Sequence, residues 1–104
     1  MTLYHTTPTV NVPSILQTGI DPRRSEGKII AAWLHTQSLT ACAEAHVARK
    51  HHTTDVITIT VNVPRRWLTR RWRCIWTCDH VIEPERLEFY ENCTETCNGF
   101  GPRA

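Results

Sequence analysis

The nine residues DVITITVNV, Asp55 to Val63, constrain the fold more than any other stretch of the chain. Ile57, Ile59, Val61 and Val63 alternate with Thr58, Thr60 and Asn62, the period of two of a β-strand with one buried face. Pro64 has no N–H to offer a ladder and ends the strand. The rest of the chain is therefore read around a sheet.

Leu3 to Thr6 is a short candidate strand. Asn11 is placed to cap a small helix, with Pro13 in its first turn and Ile15 and Leu16 supplying apolar contacts. Gly19 suits the left-handed position that ends such a helix. DPRRSEGK is a polar loop carrying Arg23, Arg24 and Lys28. Ile29 to His35 is an apolar run suited to a buried strand. Ser38 is a candidate cap for a helix from Leu39 to about His51, in which Leu39, Cys42, Ala43, His46 and Val47 share one face. Arg73 to Cys78 and Leu87 to Tyr90 are further strand candidates, separated by the turn-like IEPER. This order predicts a single α+β domain over residues 1 to 91, with a mixed or antiparallel sheet and two short helices. Residues 92 to 104 hold little to bury and are expected to be a tail.

At 104 residues, 40% hydrophobic and 21% charged, the chain has the size and composition of one ordinary globular domain. No stretch is long and apolar enough for a membrane helix, and no charged-then-apolar leader opens the sequence, so the expected compartment is the cytoplasm. Five cysteines are present, an odd number. Cys74 and Cys78 form one C-x3-C pair, Cys93 and Cys97 another. The expectation is free thiols without a metal, with Cys42 packed as a small hydrophobe. Zinc held by the two pairs, with His80, is the alternative, although zinc knuckles usually space their cysteines C-x2-C.

The polar residues near the strand ends form a candidate site. His5 closes the first strand. Trp33 and His35 lie two apart and so share one face of the second. Thr36, Gln37 and Ser38 lead into a helix N-terminus, whose free N–H groups suit an anion. Arg24 and Lys28 sit in the preceding loop. An aromatic plate, imidazoles and phosphate-binding cations are what a nucleotide site requires.

These residues also carry a resemblance. Y-H-T-T, a helix ending I-L-x-x-G-I, a loop with arginine, then A-W-L-H-T and a helix is similar to the pattern of the ADP-ribosyltransferase superfamily. Ile82-Glu83-Pro84-Glu85-Arg86-Leu87 resembles the I-x-P-x-x-I that precedes a late strand there. The likeness spans about residues 3 to 90. It implies a split-cleft ADP-ribosyltransferase-like fold, with NAD as co-substrate. His5 would hold the ribose, beside Thr6 and Thr7; Trp33 would stack on nicotinamide; Ser38 would match a serine after the second strand. The chain departs from the branch with a His-Tyr-Glu triad, because Arg71 to Cys74 hold no glutamate. It is closer in charge pattern to the RNA 2′-phosphotransferase branch, which uses a histidine with several arginines. Arg24 lies where that branch places a functional arginine, with Arg71 or Arg73 as a late one. With it the candidate catalytic set is His5, Arg24, Trp33 and His35, and the implied acceptor is a nucleic acid or a phosphorylated group. The chain here has no winged-helix domain like the one those enzymes carry. A catalytically inactive nucleotide- or RNA-binding module on the same fold is the alternative.

PRRWLTRRWR adds a local basic stretch: Arg65, Arg66, Arg70, Arg71 and Arg73 interleave with Trp67 and Trp72. Interleaved cations and rings suit single-stranded RNA or DNA, with phosphates on guanidinium groups and bases on indoles. The alternative is an amphipathic connector, with Trp67, Leu68 and Trp72 on the core and the arginines in water.

Overall fold

The computed structural model describes residues 1–25 and 29–89. Six antiparallel strands form one sheet: β1 (Thr2–Pro8), β2 (Ala32–His35), β3 (Val56–Asn62), β4 (Leu68–Trp72), β5 (Ile75–Cys78) and β6 (Leu87–Phe89). Their order is β4-β5-β2-β1-β3-β6. Two helices complete the domain, α1 (Val12–Thr18) and α2 (Thr40–His51). The α+β class with two short helices is as the sequence predicts. The tail expected from residue 92, with Cys93 and Cys97, lies outside the described residues.

The alternation in DVITITVNV sets up the core. Ile59 and Val61 are fully buried and Val63 nearly so. They meet Leu3 from β1, Ala32 and Leu34 from β2, and Trp76 and Cys78 from β5 on one face of the sheet. α1 adds Ile15 to the same face, while Ile20 and Ile82 close it through an isolated bridge. Leu16, expected to make an apolar contact, is 56% exposed instead, because Ile15 alone fills the inward position on so short a helix.

Gly19 ends α1 as expected, its N–H donating to the Ile15 carbonyl at 2.8 Å. Its φ of +82° is open only to glycine at low cost. A Cβ there would overlap the Ile82 carbonyl oxygen. The turn and the bridge between Ile20 and Ile82 thus depend on the same missing side chain.

Several boundaries differ from the sequence reading. The second strand begins at Ala32 rather than Ile29, and Ile29 and Ile30 are exposed. Ser38 does not cap α2; a 3-10 turn, Gln37–Leu39, leads into the helix, and the Ser38 hydroxyl bonds to Thr36. The basic stretch is not simply a loop: Leu68–Trp72 is an edge strand, and Arg73 and Cys74 are the turn into β5. Arginines are tolerated there because an edge strand has solvent along one side.

The strands are not joined uniformly. β1 and β3 pair through seven registered residue pairs, Thr2↔Asn62 to Pro8↔Val56. β1 and β2 pair through one, Tyr4↔His35. Two three-stranded halves, β4-β5-β2 and β1-β3-β6, are therefore held together at a narrow seam.

Candidate functional site

Register decides which site residues can meet. Tyr4 pairs with His35 and Thr6 with Thr58, so Tyr4, Thr6, Trp33, His35 and Thr58 share the face opposite the core. His5 and Thr7 lie on the core face with Leu3. The side chains of His5 and Trp33 therefore point to opposite sides of the sheet and do not form one wall, as the sequence reading expected. The sequence gives each strand its alternation but not which faces of β1 and β2 coincide.

His5 sits at the seam. Its Nδ1 lies 2.9 Å from the Trp33 carbonyl oxygen, across the gap between β1 and β2. A carbonyl only accepts, so Nδ1 carries the hydrogen. Burial lowers the His5 pKa; the Trp33 carbonyl bond opposes this and His35 adds to it. The ring is thereby kept neutral, with Nε2 as an acceptor. Next to it Thr7 Oγ1 accepts from Asn11 Nδ2 at 2.9 Å, which fixes the Asn11 side chain instead of letting it cap α1.

The loop cations stand on the α1 side. Arg24 Nη1 donates to Ser14 Oγ at 2.7 Å. Arg23 pairs with Asp21 at 2.8 Å, and its hydrogen bonds with that carboxylate hold the Asp21 pKa down at about 2. Among the described residues no hydrogen bond joins Arg24 to His5. Lys28 lies outside the described residues.

On the opposite face α2 stands off the sheet over a cavity of about 450 Å³. Trp33, His35 and Thr6 line it from the sheet, with Leu39, Cys42 and His46 among its walls from the helix side. The helix face predicted from Leu39, Cys42, Ala43, His46 and Val47 thus borders this cavity, and no residue of α2 is fully buried. Cys42, expected to be packed, is exposed. His35 is 6% exposed, and both ring nitrogens are engaged: Nδ1 with the Thr36 carbonyl at 2.8 Å and Nε2 with Thr6 Oγ1 at 2.9 Å. The sequence reading placed His35 in the catalytic set; here its nitrogens are already committed within the protein.

The edge of this face carries two indoles. Trp72, 62% exposed, stacks on Trp33 with ring centroids 6.3 Å apart and planes at 26°. Trp67 and Leu68 pack on the core as the connector reading expected, but Trp72 does not. The arginines divide between the faces. Arg65 and Arg70 lie over the Trp76 ring at 5.8 and 5.6 Å on the core face. Arg71 Nε donates to Thr77 Oγ1 at 2.9 Å on the cavity face. Arg66 and Arg73 are exposed.

Sequence reasoning missed three participants. Glu44 accepts from Thr58 Oγ1 at 2.9 Å. Thr58 is an inward threonine in a strand otherwise read by its apolar face. Cys74 sits in the β4–β5 turn, where hydrogen bonds from Thr36 and Ser38, then Arg73 and Arg70, lower its pKa. Among the described residues no group of three or more His, Cys, Asp or Glu side chains is arranged to hold a metal. No helix among them is long and apolar enough to cross a membrane. Compared with models of known protein families and with curated protein sequences, the chain matches none.

Proposed function

We propose that this domain binds NAD through His5 and transfers ADP-ribose to a nucleic-acid or phosphorylated acceptor, on a split-cleft fold like that of the ADP-ribosyltransferases. One observation carries the reading: a neutral imidazole at the β1–β2 seam, its Nδ1–H committed to the Trp33 carbonyl and its Nε2 lone pair left as an acceptor. Such a nitrogen suits a ribose hydroxyl. In this reading Thr7 and Arg24, on the same side, accompany the ribose and pyrophosphate. On the other side of the sheet, the stacked Trp33 and Trp72 with Arg71 hold a flanking nucleotide of the acceptor, a base on the indoles and a phosphate at the guanidinium. The acceptor's reacting group would have to reach round to the His5 side. Cationic groups near the phosphates would stabilise charge that develops during transfer.

A second reading is a catalytically silent NAD- or RNA-binding module. It is favoured by Arg71, Trp72, Arg73 and Cys74, which supply no carboxylate where the triad branch has its glutamate.

Titration calorimetry with NAD, followed by incubation with labelled NAD and pooled RNA, DNA and protein, separates the two. Binding that weakens about tenfold in His5→Ala, the loss of one good hydrogen bond, together with His5-dependent nicotinamide release, supports the enzyme. Binding without release supports the module. Absence of NAD binding would overturn the enzyme, and absence of RNA binding as well would overturn the module.

A further inference from the structure

A chain of four short hydrogen bonds runs beneath the cavity, from β2 through β1 and β3 to α2. His35 Nδ1 meets the Thr36 carbonyl at 2.8 Å, and His35 Nε2 meets Thr6 Oγ1 at 2.9 Å. Thr6 Oγ1 meets Thr58 Oγ1 at 2.8 Å, and Thr58 Oγ1 meets Glu44 Oε2 at 2.9 Å. The two central bonds, His35–Thr6 and Thr6–Thr58, are buried, so water does not compete for them, while the outer two are part-buried.

Counting hydrogens restricts the protonation of the ends. The carbonyl of Thr36 accepts only, so Nδ1 carries a hydrogen. Three bonds remain between His35 Nε2 and Glu44 Oε2, and the two hydroxyls between them supply one hydrogen each. The third must come from an end. Either His35 Nε2 bears it, making the ring an imidazolium beside a carboxylate, or Glu44 bears it, leaving the ring neutral. The two forms interconvert when one hydrogen shifts along each of the three bonds, which moves a net proton between His35 and Glu44 and reverses both threonine hydroxyls. An imidazole binds a proton about two pH units more tightly than a carboxylate in water. Glu44 is also half-exposed at the helix surface, where water stabilises its negative charge.

We propose that Glu44 and His35 form one proton-sharing unit through Thr6 and Thr58, in which Glu44 holds His35 as an imidazolium on the cavity wall. Glu44 does not line the cavity. It is a positioning residue that sets, from α2, the charge that any cavity ligand meets. The other titratable groups facing His35 are His5 from the seam, kept neutral by burial, Cys42 and His46 across the cavity from α2, and Tyr4, whose ring stacks on the imidazole at 6.2 Å. The tyrosine face favours a cation.

The test is long-range nitrogen–proton NMR of the histidine rings in the full chain, at about pH 7.5, where a free imidazole is mostly neutral. His35 is assigned by its loss in His35→Gln. In the wild type both His35 nitrogens are expected to be protonated. In Glu44→Gln the carboxamide has no charge to balance an imidazolium. Its NH2 group can donate to Thr58 with both hydroxyls reversed, so Nε2 is expected to become an acceptor and the ring neutral. Thr58→Val breaks the chain with the same result, and Thr58→Ser restores the wild-type ring. Amide spectra confirm folding of each variant; if Thr58→Val does not fold, Glu44→Gln alone decides. A neutral His35 in the wild type, or a doubly protonated one in either folded Glu44→Gln or Thr58→Val, overturns the proposal.

Discussion

His5 shows how one buried side chain ties its protonation to stability. Its carbonyl bond fixes the tautomer, and burial opposes its protonation. The folded-state pKa lies below that of the unfolded chain. As pH falls through about 6.5, the unfolded state takes up a proton that the folded state refuses, so stability declines until the folded pKa is passed. Above that range His5 contributes no pH dependence. In urea unfolding between about pH 8 and 5 this decline should appear as the difference between wild type and His5→Gln, the variant losing less stability as pH falls. Cys74 poses the opposite case. Hydroxyl donors and arginines stabilise its thiolate, whereas burial disfavours that of Cys78. At neutral pH, iodoacetamide with mass-spectrometric mapping should modify Cys74 severalfold faster than Cys78. Ser38→Ala should slow Cys74 while leaving Cys78 unchanged.

Among the elements, α1 and its exit turn depend on one backbone conformation. Gly19→Ala meets both a positive φ and the Ile82 carbonyl, so it should destabilise the fold by roughly 2–3 kcal/mol in a denaturant titration. That turn was legible in the sequence, as were β3 and the short first strand, because glycine and strict alternation report backbone geometry directly. β4 was not. Arginine and tryptophan side chains describe a surface, and an edge strand can be all surface. α2 was legible as a helix but not in its packing, since its pattern of Leu39, Cys42, Ala43, His46 and Val47 fits a cavity wall as well as a core contact.

For the whole molecule, pairing between β1 and β2 matters more than any composition. It sends His5 and Trp33 to opposite faces and brings Thr6, Thr58, His35 and Glu44 into line, a result of register that no local motif encodes. The bulged pairing of β4 with β5 likewise distributes Arg65, Arg70 and Arg71 on both sides of the sheet. If RNA lies along the Trp33–Trp72 face, only part of the basic stretch reaches its phosphates. The logarithm of affinity against the logarithm of salt should then have a shallow negative slope for single-stranded RNA. Arg71→Ala should reduce its magnitude by about 0.7. A slope that does not change in Arg71→Ala would place the RNA elsewhere.

The indoles of Trp33 and Trp72 are near enough and parallel enough for their excited states to mix. Such a pair gives a split circular-dichroism couplet near its strong ultraviolet absorption, with a sign set by the handedness of the stack. A base that slides between the rings, or turns Trp72 outward, would collapse that couplet. The domain thus carries a label-free optical reporter at the place where an acceptor is expected to dock.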